Sequence, residues 1–141
     1  YIAVVAAIRE LMVEQQRRIG GERGSLVTVG RDQGSVVFTG AELKVYLDAS
    51  ADERARRRAA ELRQRGEVVD VGEIKRQIDD RDRRDSTRAT GPLARPEGAV
   101  VIDTTTMTLD GVVEAIVGAA RERMTSLASA RPPAREAEVA R

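Results

Sequence analysis

Apolar and polar residues are distributed along this chain in blocks that predict four helices and three short strands. Apolar positions three or four residues apart, with charged residues between them, predict helices over residues 2–18, 51–65, 71–85 and 109–125. Short apolar runs bounded by polar residues or glycine predict strands over residues 26–29, 43–47 and 99–102. Because the strands alternate with helices, the pattern predicts an α/β fold with a parallel sheet.

The expected ends of these elements divide the chain into four parts. A capping box from Ser50 to Glu53 opens the second helix and Gly66 ends it, while the glycines between Gly20 and Gly24 end the first helix in a loop. Two prolines and scattered charge near the end of the chain predict a tail without regular structure. The resulting organisation is a core in residues 1–50, a helical hairpin in 51–90, a core strand and helix in 91–125, and a disordered tail in 126–141.

Composition and charge exclude several classes of function. The chain has 24 Lys and Arg against 23 Asp and Glu, and this net charge of +1 argues against a surface that binds nucleic acid polymers. The absence of cysteine removes disulfides and thiol catalysis, and the absence of histidine removes the commonest general base and metal ligand. No apolar run approaches the length of a membrane span, so we expect a cytoplasmic protein that does not bind membranes.

Two groups of arginine and aspartate are the candidate site. The first is Gly30-Arg31-Asp32-Gln33-Gly34, which follows the strand predicted at 26–29, where an α/β sheet binds its ligand. Residues 35–38 after it fit either a helical turn or an extended segment. The second group occupies one face of the helix predicted at 71–85 and consists of Arg81, Arg84, Asp85 and Arg88. Together they suit a small ligand that is anionic and rich in hydroxyls, such as a nucleoside monophosphate.

Each group also has a purely structural interpretation. The second could be a solvated helix with ion pairs along its surface, and the first could be a tight turn with glycines at positive φ and a structural pair between Arg31 and Asp32.

The hairpin predicted over 51–88 is so rich in charge that we expect it to project from the sheet with a thin core at its root. Arginines 54, 57 and 58 repeat the cationic pattern there, which phosphoryl transfer uses to neutralise phosphate oxygens.

In order and spacing, the motifs from Arg9 to about Met124 resemble bacterial cytidylate kinase, a nucleoside monophosphate kinase of the P-loop family. The matching segments are Ile8-Arg9-Glu10-Leu11, the run from Gly30 to Phe38, Leu43 to Ser50, Asp52 to Arg58, Arg81 to Arg88, Pro92-Leu93 and Ile102 to Thr105. The resemblance implies a parallel sheet in a three-layer fold with a helical lid. It also implies transfer of the γ-phosphate of ATP, with Mg²⁺, to CMP or dCMP.

The resemblance further implies a role for each matching residue. Arg9 and Asp32 would read the cytosine ring, Arg31 and Arg88 would hold the acceptor phosphate, and Arg81 and Asp85 would bind the ribose hydroxyls. On the donor side, Arg54 and Arg58 would contact ATP from the base of the lid, and Thr105 lies in the turn on which adenine would rest. Arg31, Arg58 and Arg88 are therefore the expected catalytic cations.

The phosphate-binding glycine loop and lysine of this family have no counterpart in residues 1–141. The resemblance places them, with one or more strands, before Tyr1. We therefore expect this chain alone to be nearly inactive, and either unstable or paired with the missing segment or another chain. An alternative is a non-catalytic remnant of the fold that binds nucleotides or assembles with a partner. An arginine-rich RNA-binding module is a third hypothesis, disfavoured by the charge balance and the scarcity of aromatic residues.

Overall fold

A computed structural model describes residues 6–87 and 94–130 of the chain. Its elements follow the predicted alternation, with a short π-helical segment, Gln33–Val37, after the Gly-Arg-Asp turn formed by residues 30–34. The helices and strands are α1 (Ala6–Arg23), β1 (Val45–Asp48), α2 (Ala51–Gln64), α3 (Val71–Ser86), β2 (Val100–Asp103) and α4 (Leu109–Ala130).

The sheet consists of β1 and β2, which run parallel. Val45 lies opposite Val100 and Asp48 lies opposite Asp103, so the carboxyl ends of both strands meet at one edge. The two helices α2 and α3 form the crossover between them, as a parallel pair requires. The predicted parallel arrangement of these strands is confirmed.

The strand predicted at 26–29 is wrong, because these residues have no strand assignment. Within residues 6–87 and 94–130, no neighbouring strand pairs with them. Val27 and Val29 are 94% and 95% exposed. A strand is maintained by hydrogen bonds to a neighbour, and an apolar run without one has no ladder to join.

The hairpin of α2 and α3 contains the clearest apolar core of the described residues. Ala55 and Ala59 are fully buried against Ile74. Leu62 and Val69, near the loop between the two helices, add partly buried contacts. The core is thin, as predicted, because alanine lets the helices approach closely, but it extends along the hairpin and is not confined to its root.

The hairpin helices begin and end where the sequence predicts. The Ser50 hydroxyl accepts a hydrogen bond from the Glu53 amide at 3.2 Å, and the Asp70 carboxylate accepts one from the Glu73 amide at 3.0 Å. These side chains satisfy amides that the first helical turn leaves without partners. Gly66, with φ of +84°, turns the chain out of α2.

Two other helix ends differ from the prediction. Helix α1 continues through Gly20 and ends at Arg23, before Gly24. At Gly20 a Cβ atom would lie 2.6 Å from the Phe38 ring, so this glycine serves a close packing contact and not a helix stop. Helix α4 extends to Ala130, so residues 126–130 are helical and not part of the predicted tail.

No helix in the described part of the chain is both long and apolar enough to cross a membrane.

Candidate functional site

Helix α1 holds the Gly-Arg-Asp turn and the π-helical segment in place. Arg9 forms an ion pair with Asp32. Arg17 donates from Nε to the Val37 carbonyl at 2.9 Å and from Nη2 to the Val36 carbonyl at 2.6 Å. The last carbonyl groups of a short helical segment have no backbone amide to bind. Arg17 supplies hydrogen bonds to two of them here. The turn and the end of the π-helical segment are thus each attached to α1.

The glycines of the turn do not act as predicted. Neither Gly30 nor Gly34 has a positive φ. A Cβ atom on Gly34 would lie 3.0 Å from Cγ of Pro96 and 3.3 Å from its Cβ, so Gly34 permits close approach of the segment before β2. Arg31 and Asp32 do not form the structural pair either, since Asp32 pairs with Arg9 on α1 and Arg31 pairs with Asp82 on α3.

Arg31 leaves the turn and contacts two carboxylates on α3. Its Nε lies 2.9 Å from Oδ2 of Asp85, and its Nη2 binds Oδ1 of Asp82. Arg81 also approaches Asp85, with Nε at 3.7 Å from Oδ2. The Asp85 side chain is only 3% exposed, whereas that of Asp82 is 24% exposed. These ion pairs form a cluster of Arg31, Arg81, Asp82 and Asp85, which joins the turn to the hairpin.

Arg54 continues this cluster to the edge of the sheet. Its Nη1 binds the second carboxylate oxygen of Asp82, and its Nε donates to the Ala49 carbonyl at 3.1 Å, directly after β1. Arg54 also lines an open cavity of about 570 Å³ at the carboxyl ends of the strands. The cavity is lined by Leu47, Asp48, Ala49, Arg54, Arg57, Thr104, Met107, Leu109 and Val112.

The turn after β2 forms the far side of this cavity. The Thr104 hydroxyl donates to the Asp48 carbonyl at 2.9 Å and accepts from Nη1 of Arg57 at 3.0 Å. Thr105 Oγ1 accepts from the Ser50 amide at 3.0 Å. The turn thereby ties the start of α2 to both strands. An apolar floor with guanidinium groups at its rim suits a ligand with a flat apolar part and an anionic part.

A second, smaller cavity of about 270 Å³ lies against α1. Its lining combines apolar side chains with charged ones and consists of Arg9, Glu10, Val13, Glu14, Arg17 and Val36. Arg9 is the residue that connects it to Asp32 of the turn. The Arg9–Asp32 pair and the arginine and aspartate cluster thus connect the elements that carry these two cavities.

Comparison with known proteins identifies the architecture. A family model described as cytidylate kinase matches residues 1–122. The chain belongs to the cytidylate kinase family. Its α/β structure with a small parallel sheet is consistent with the nucleoside monophosphate kinase fold, so the predicted fold class is confirmed.

Three relatives illustrate the match. The cytidylate kinase of Marinomonas sp. (strain MWYL1) is 45% identical over 115 residues, covering 82% of this chain and 50% of the relative. That of Solibacter usitatus (strain Ellin6076) is 44% identical over 127 residues, covering 89% of this chain and 54% of the relative. The bifunctional pantoate ligase/cytidylate kinase of Synechococcus elongatus is 45% identical over 122 residues, covering 86% of this chain and 23% of the relative. The chain spans about half the length of the two cytidylate kinases.

Most of the residues predicted from the cytidylate kinase resemblance lie together. Arg31, Arg54, Arg81 and Asp85 belong to the cluster, Arg9 pairs with Asp32 beside it, and Thr105 directly follows Thr104, which lines the larger cavity. Arg58 does not join them, because it forms an ion pair with Glu61 at 2.6 Å on the exposed side of α2. It lies one helical turn further along α2 than Arg54, away from the sheet. Arg88 lies outside the described residues.

Sequence reasoning missed Asp82 and grouped Arg84 with the site in its place. Arg84 is exposed and donates from Nε to the Asp80 carbonyl of its own helix at 3.1 Å. The signal for Asp82 was present in the pattern of α3: the buried Ile74 and the partly buried Ile78 continue to Asp82 at the same four-residue step. That face points at the turn and at α2, so a carboxylate on it meets arginines from both.

Asp82 yields a prediction for pH dependence. Burial raises the pKa of Asp82, but the hydrogen bonds and charges of Arg54 and Arg31 outweigh burial, so its pKa lies below the ordinary value of 3.8. A lowered pKa in the folded state means that ionised Asp82 stabilises the fold fully above pH 3.8. This contribution is lost as the pH falls through the lowered value. We expect the carboxyl carbon NMR signal of Asp82 to titrate below pH 3.8.

The variant Arg54→Gln provides the control for this titration. It removes one of the two guanidinium partners of Asp82, so the midpoint should move up towards the ordinary carboxyl value. A wild-type midpoint at or above that value would contradict the ion pairs described for Asp82.

Proposed function

We propose that this chain provides the acceptor site and part of the donor site of a kinase that transfers the γ-phosphate of ATP to CMP or dCMP. The observation that carries the proposal is the cluster in which Asp82 and Asp85 hold Arg31 between the Gly-Arg-Asp turn and the hairpin, next to Arg54 at the larger cavity. Membership of the cytidylate kinase family supports the choice of CMP as acceptor.

On the acceptor side, the proposal assigns the phosphate to Arg31 and the cytosine ring to Arg9 and Asp32. A guanidinium group binds phosphate through parallel charge-assisted hydrogen bonds. Asp32 offers acceptor oxygens and Arg9 offers donors, which complement the amino group and the carbonyl of a cytosine edge. Arg81 and Asp85 lie next to each other on α3, and Asp85 contacts Arg31, so both suit the ribose hydroxyls. Arg88 is assigned to the acceptor phosphate by the family resemblance.

On the donor side, the proposal places adenine in the larger cavity, against the turn that contains Thr105. Arg54, at the rim of that cavity, is assigned to the ATP phosphates. Arg58 keeps this role only if it leaves Glu61, with which it is paired in this structure. Arg57 is closer to the cavity through its bonds to Thr104 and replaces Arg58 as the second candidate.

The reaction follows from these placements. A phosphate oxygen of CMP attacks the γ-phosphorus of ATP, the bond from that phosphorus to the bridging oxygen breaks, and ADP leaves with the electron pair. Charge on the transferred group spreads over its oxygens, so arginines around it stabilise the transition state without a general base. Within residues 6–87 and 94–130, no group of three or more acidic or other metal-binding side chains could hold a metal ion. The proposal takes Mg²⁺ as part of the MgATP substrate.

The proposal includes a further segment that supplies the cradle for the ATP triphosphate. The chain spans about half the length of the cytidylate kinases it matches, and the family's glycine-rich phosphate loop has no counterpart in residues 1–141. We propose that the chain forms the C-terminal portion of the catalytic unit, acts in the cytoplasm on free nucleotides, and needs that segment for turnover.

Calorimetric titration of the chain with CMP, dCMP, AMP and cytidine tests this function. We expect CMP and dCMP to bind, AMP to bind much more weakly because the base contacts differ, and cytidine to bind more weakly because it lacks the phosphate. Asp32→Asn should reduce the preference for CMP over AMP, since an amide offers one acceptor where a carboxylate offers two. Equal binding of CMP and AMP, or absence of CMP binding by a chain with native helical content, would contradict the proposal.

A further inference from the structure

The carboxylate of Asp82 has an unusual position in the site. One of its oxygens binds Nη2 of Arg31, from the Gly-Arg-Asp turn, and the other binds Nη1 of Arg54, from α2. Asp82 thus joins arginines of two different elements to α3. Together with Asp85, which pairs with Arg31, and the Ala49 carbonyl, which binds Arg54, it fixes the positions of both guanidinium groups.

Asp85 differs from Asp82 in exposure. Asp85 is buried and binds Nε of Arg31 at 2.9 Å, so it is a fixed anchor for that side chain. The Asp82 side chain is 24% exposed and lies where solvent reaches the cluster. An incoming anion can therefore reach the Arg31 and Arg54 groups that Asp82 occupies without disturbing the bond to Asp85.

Asp82 competes with an anionic ligand for the donor groups of Arg31. A guanidinium group binds a phosphate as a fork, with two parallel donors. Asp85 forms an ion pair with Nε and Asp82 binds Nη2, so a phosphate that forms a fork on the outer side of Arg31 competes with Asp82 for the Nη2 group. The same exchange frees Nη1 of Arg54.

We propose that Asp82 is an exchangeable counter-ion, a positioning residue that holds Arg31 and Arg54 ready in the empty site and is replaced on Arg31 by the phosphate of the bound nucleotide, which releases Arg54. Because Arg54 also lines the larger cavity, its release directs a second cation towards the phosphates of the other nucleotide. Occupation of one site thus prepares the other. The identity of the anion as a nucleotide phosphate rests on the proposed function, whereas the exchange itself does not.

Binding of inorganic pyrophosphate at low ionic strength, measured by calorimetry, tests the exchange. Asp82→Asn removes the competing charge, so we expect it to bind pyrophosphate roughly five- to tenfold more tightly than the wild type, the effect of releasing two partly exposed ion pairs. Asp80→Asn is the matched control, since Asp80 is an exposed residue on the same helix without a recorded side-chain ion pair. It changes net charge equally and should stay within about twofold of the wild type. Unchanged or weaker binding by Asp82→Asn, or no binding by either protein, would overturn the proposal.

A second measurement uses the wild type, so it does not depend on whether the variant folds. On saturation with pyrophosphate, the carboxyl carbon NMR signal of Asp82 and the Nε–H signals of Arg31 and Arg54 should shift, while that of Arg58, paired with Glu61, should not. An unchanged Asp82 signal at saturation would overturn the exchange. If pyrophosphate produces these shifts but CMP does not bind, the exchange stands and the proposed function fails.

Discussion

Replacing Arg31 by alanine is expected to weaken CMP binding by about a hundredfold, because hydrogen bonds to charged groups contribute about 1.5–3 kcal/mol each. Arg31 lies at the centre of the cluster, where it contacts Asp85 and Asp82 and where the proposed acceptor phosphate binds. Calorimetric titration with CMP measures the change directly. Arg31→Lys should lose a large part of the same affinity, since an ammonium group retains the charge but cannot reproduce the fork.

Arg58→Ala is the matched control for this comparison. It removes the same side chain and the same charge, but from an exposed ion pair with Glu61 outside the cluster. We expect its CMP affinity to stay within about twofold of the wild type, since exposed ion pairs contribute little. Retention of CMP affinity by Arg31→Ala, or an equal loss in both variants, would show that the cluster is not the acceptor site.

Replacing Ile74 by alanine is expected to lower the free energy of unfolding of the hairpin by about 2–3 kcal/mol, near the lower end for Ile to Ala changes because the core is small. Ile74 is the large side chain between Ala55 and Ala59, and alanine there leaves a cavity that the two helices cannot close without moving. Hydrogen exchange of the amides of α2 and α3 measures the loss.

Val68→Ala provides the comparison on the same hairpin. Val68 lies in the loop between the helices and is fully exposed, so its truncation should change the free energy of unfolding by less than about 0.5 kcal/mol. Equal protection of the amides in Ile74→Ala and Val68→Ala would contradict the described core.

The hairpin was the part of the fold most accessible from the sequence. Its helix starts depend on local chemistry, with Ser50 and Asp70 capping the first turns, and its first helix ends at Gly66. These signals act within a few residues, so no knowledge of the rest of the chain is needed to interpret them. The parallel pairing of β1 and β2 followed equally from the alternation of strands and helices.

The residues at 26–29 show where the pattern alone is insufficient. A run of apolar residues has the composition of a strand, but a strand exists only where another backbone pairs with it. Gly20 gives the opposite case, because a residue that usually ends helices lies inside one where it permits contact with Phe38. In both cases the decisive partner is distant in the chain.

By itself, then, the sequence determined the fold class, the helical hairpin, the charge balance and the arginine and aspartate motifs by which the chain resembles its family. Tertiary structure decided which of those charges meet. It brought Arg31 and Arg54 to Asp82, which the sequence analysis overlooked, and left Arg58 on Glu61. The physical reason is that helical periodicity defines the face on which a side chain lies, whereas its partner depends on which element packs against that face.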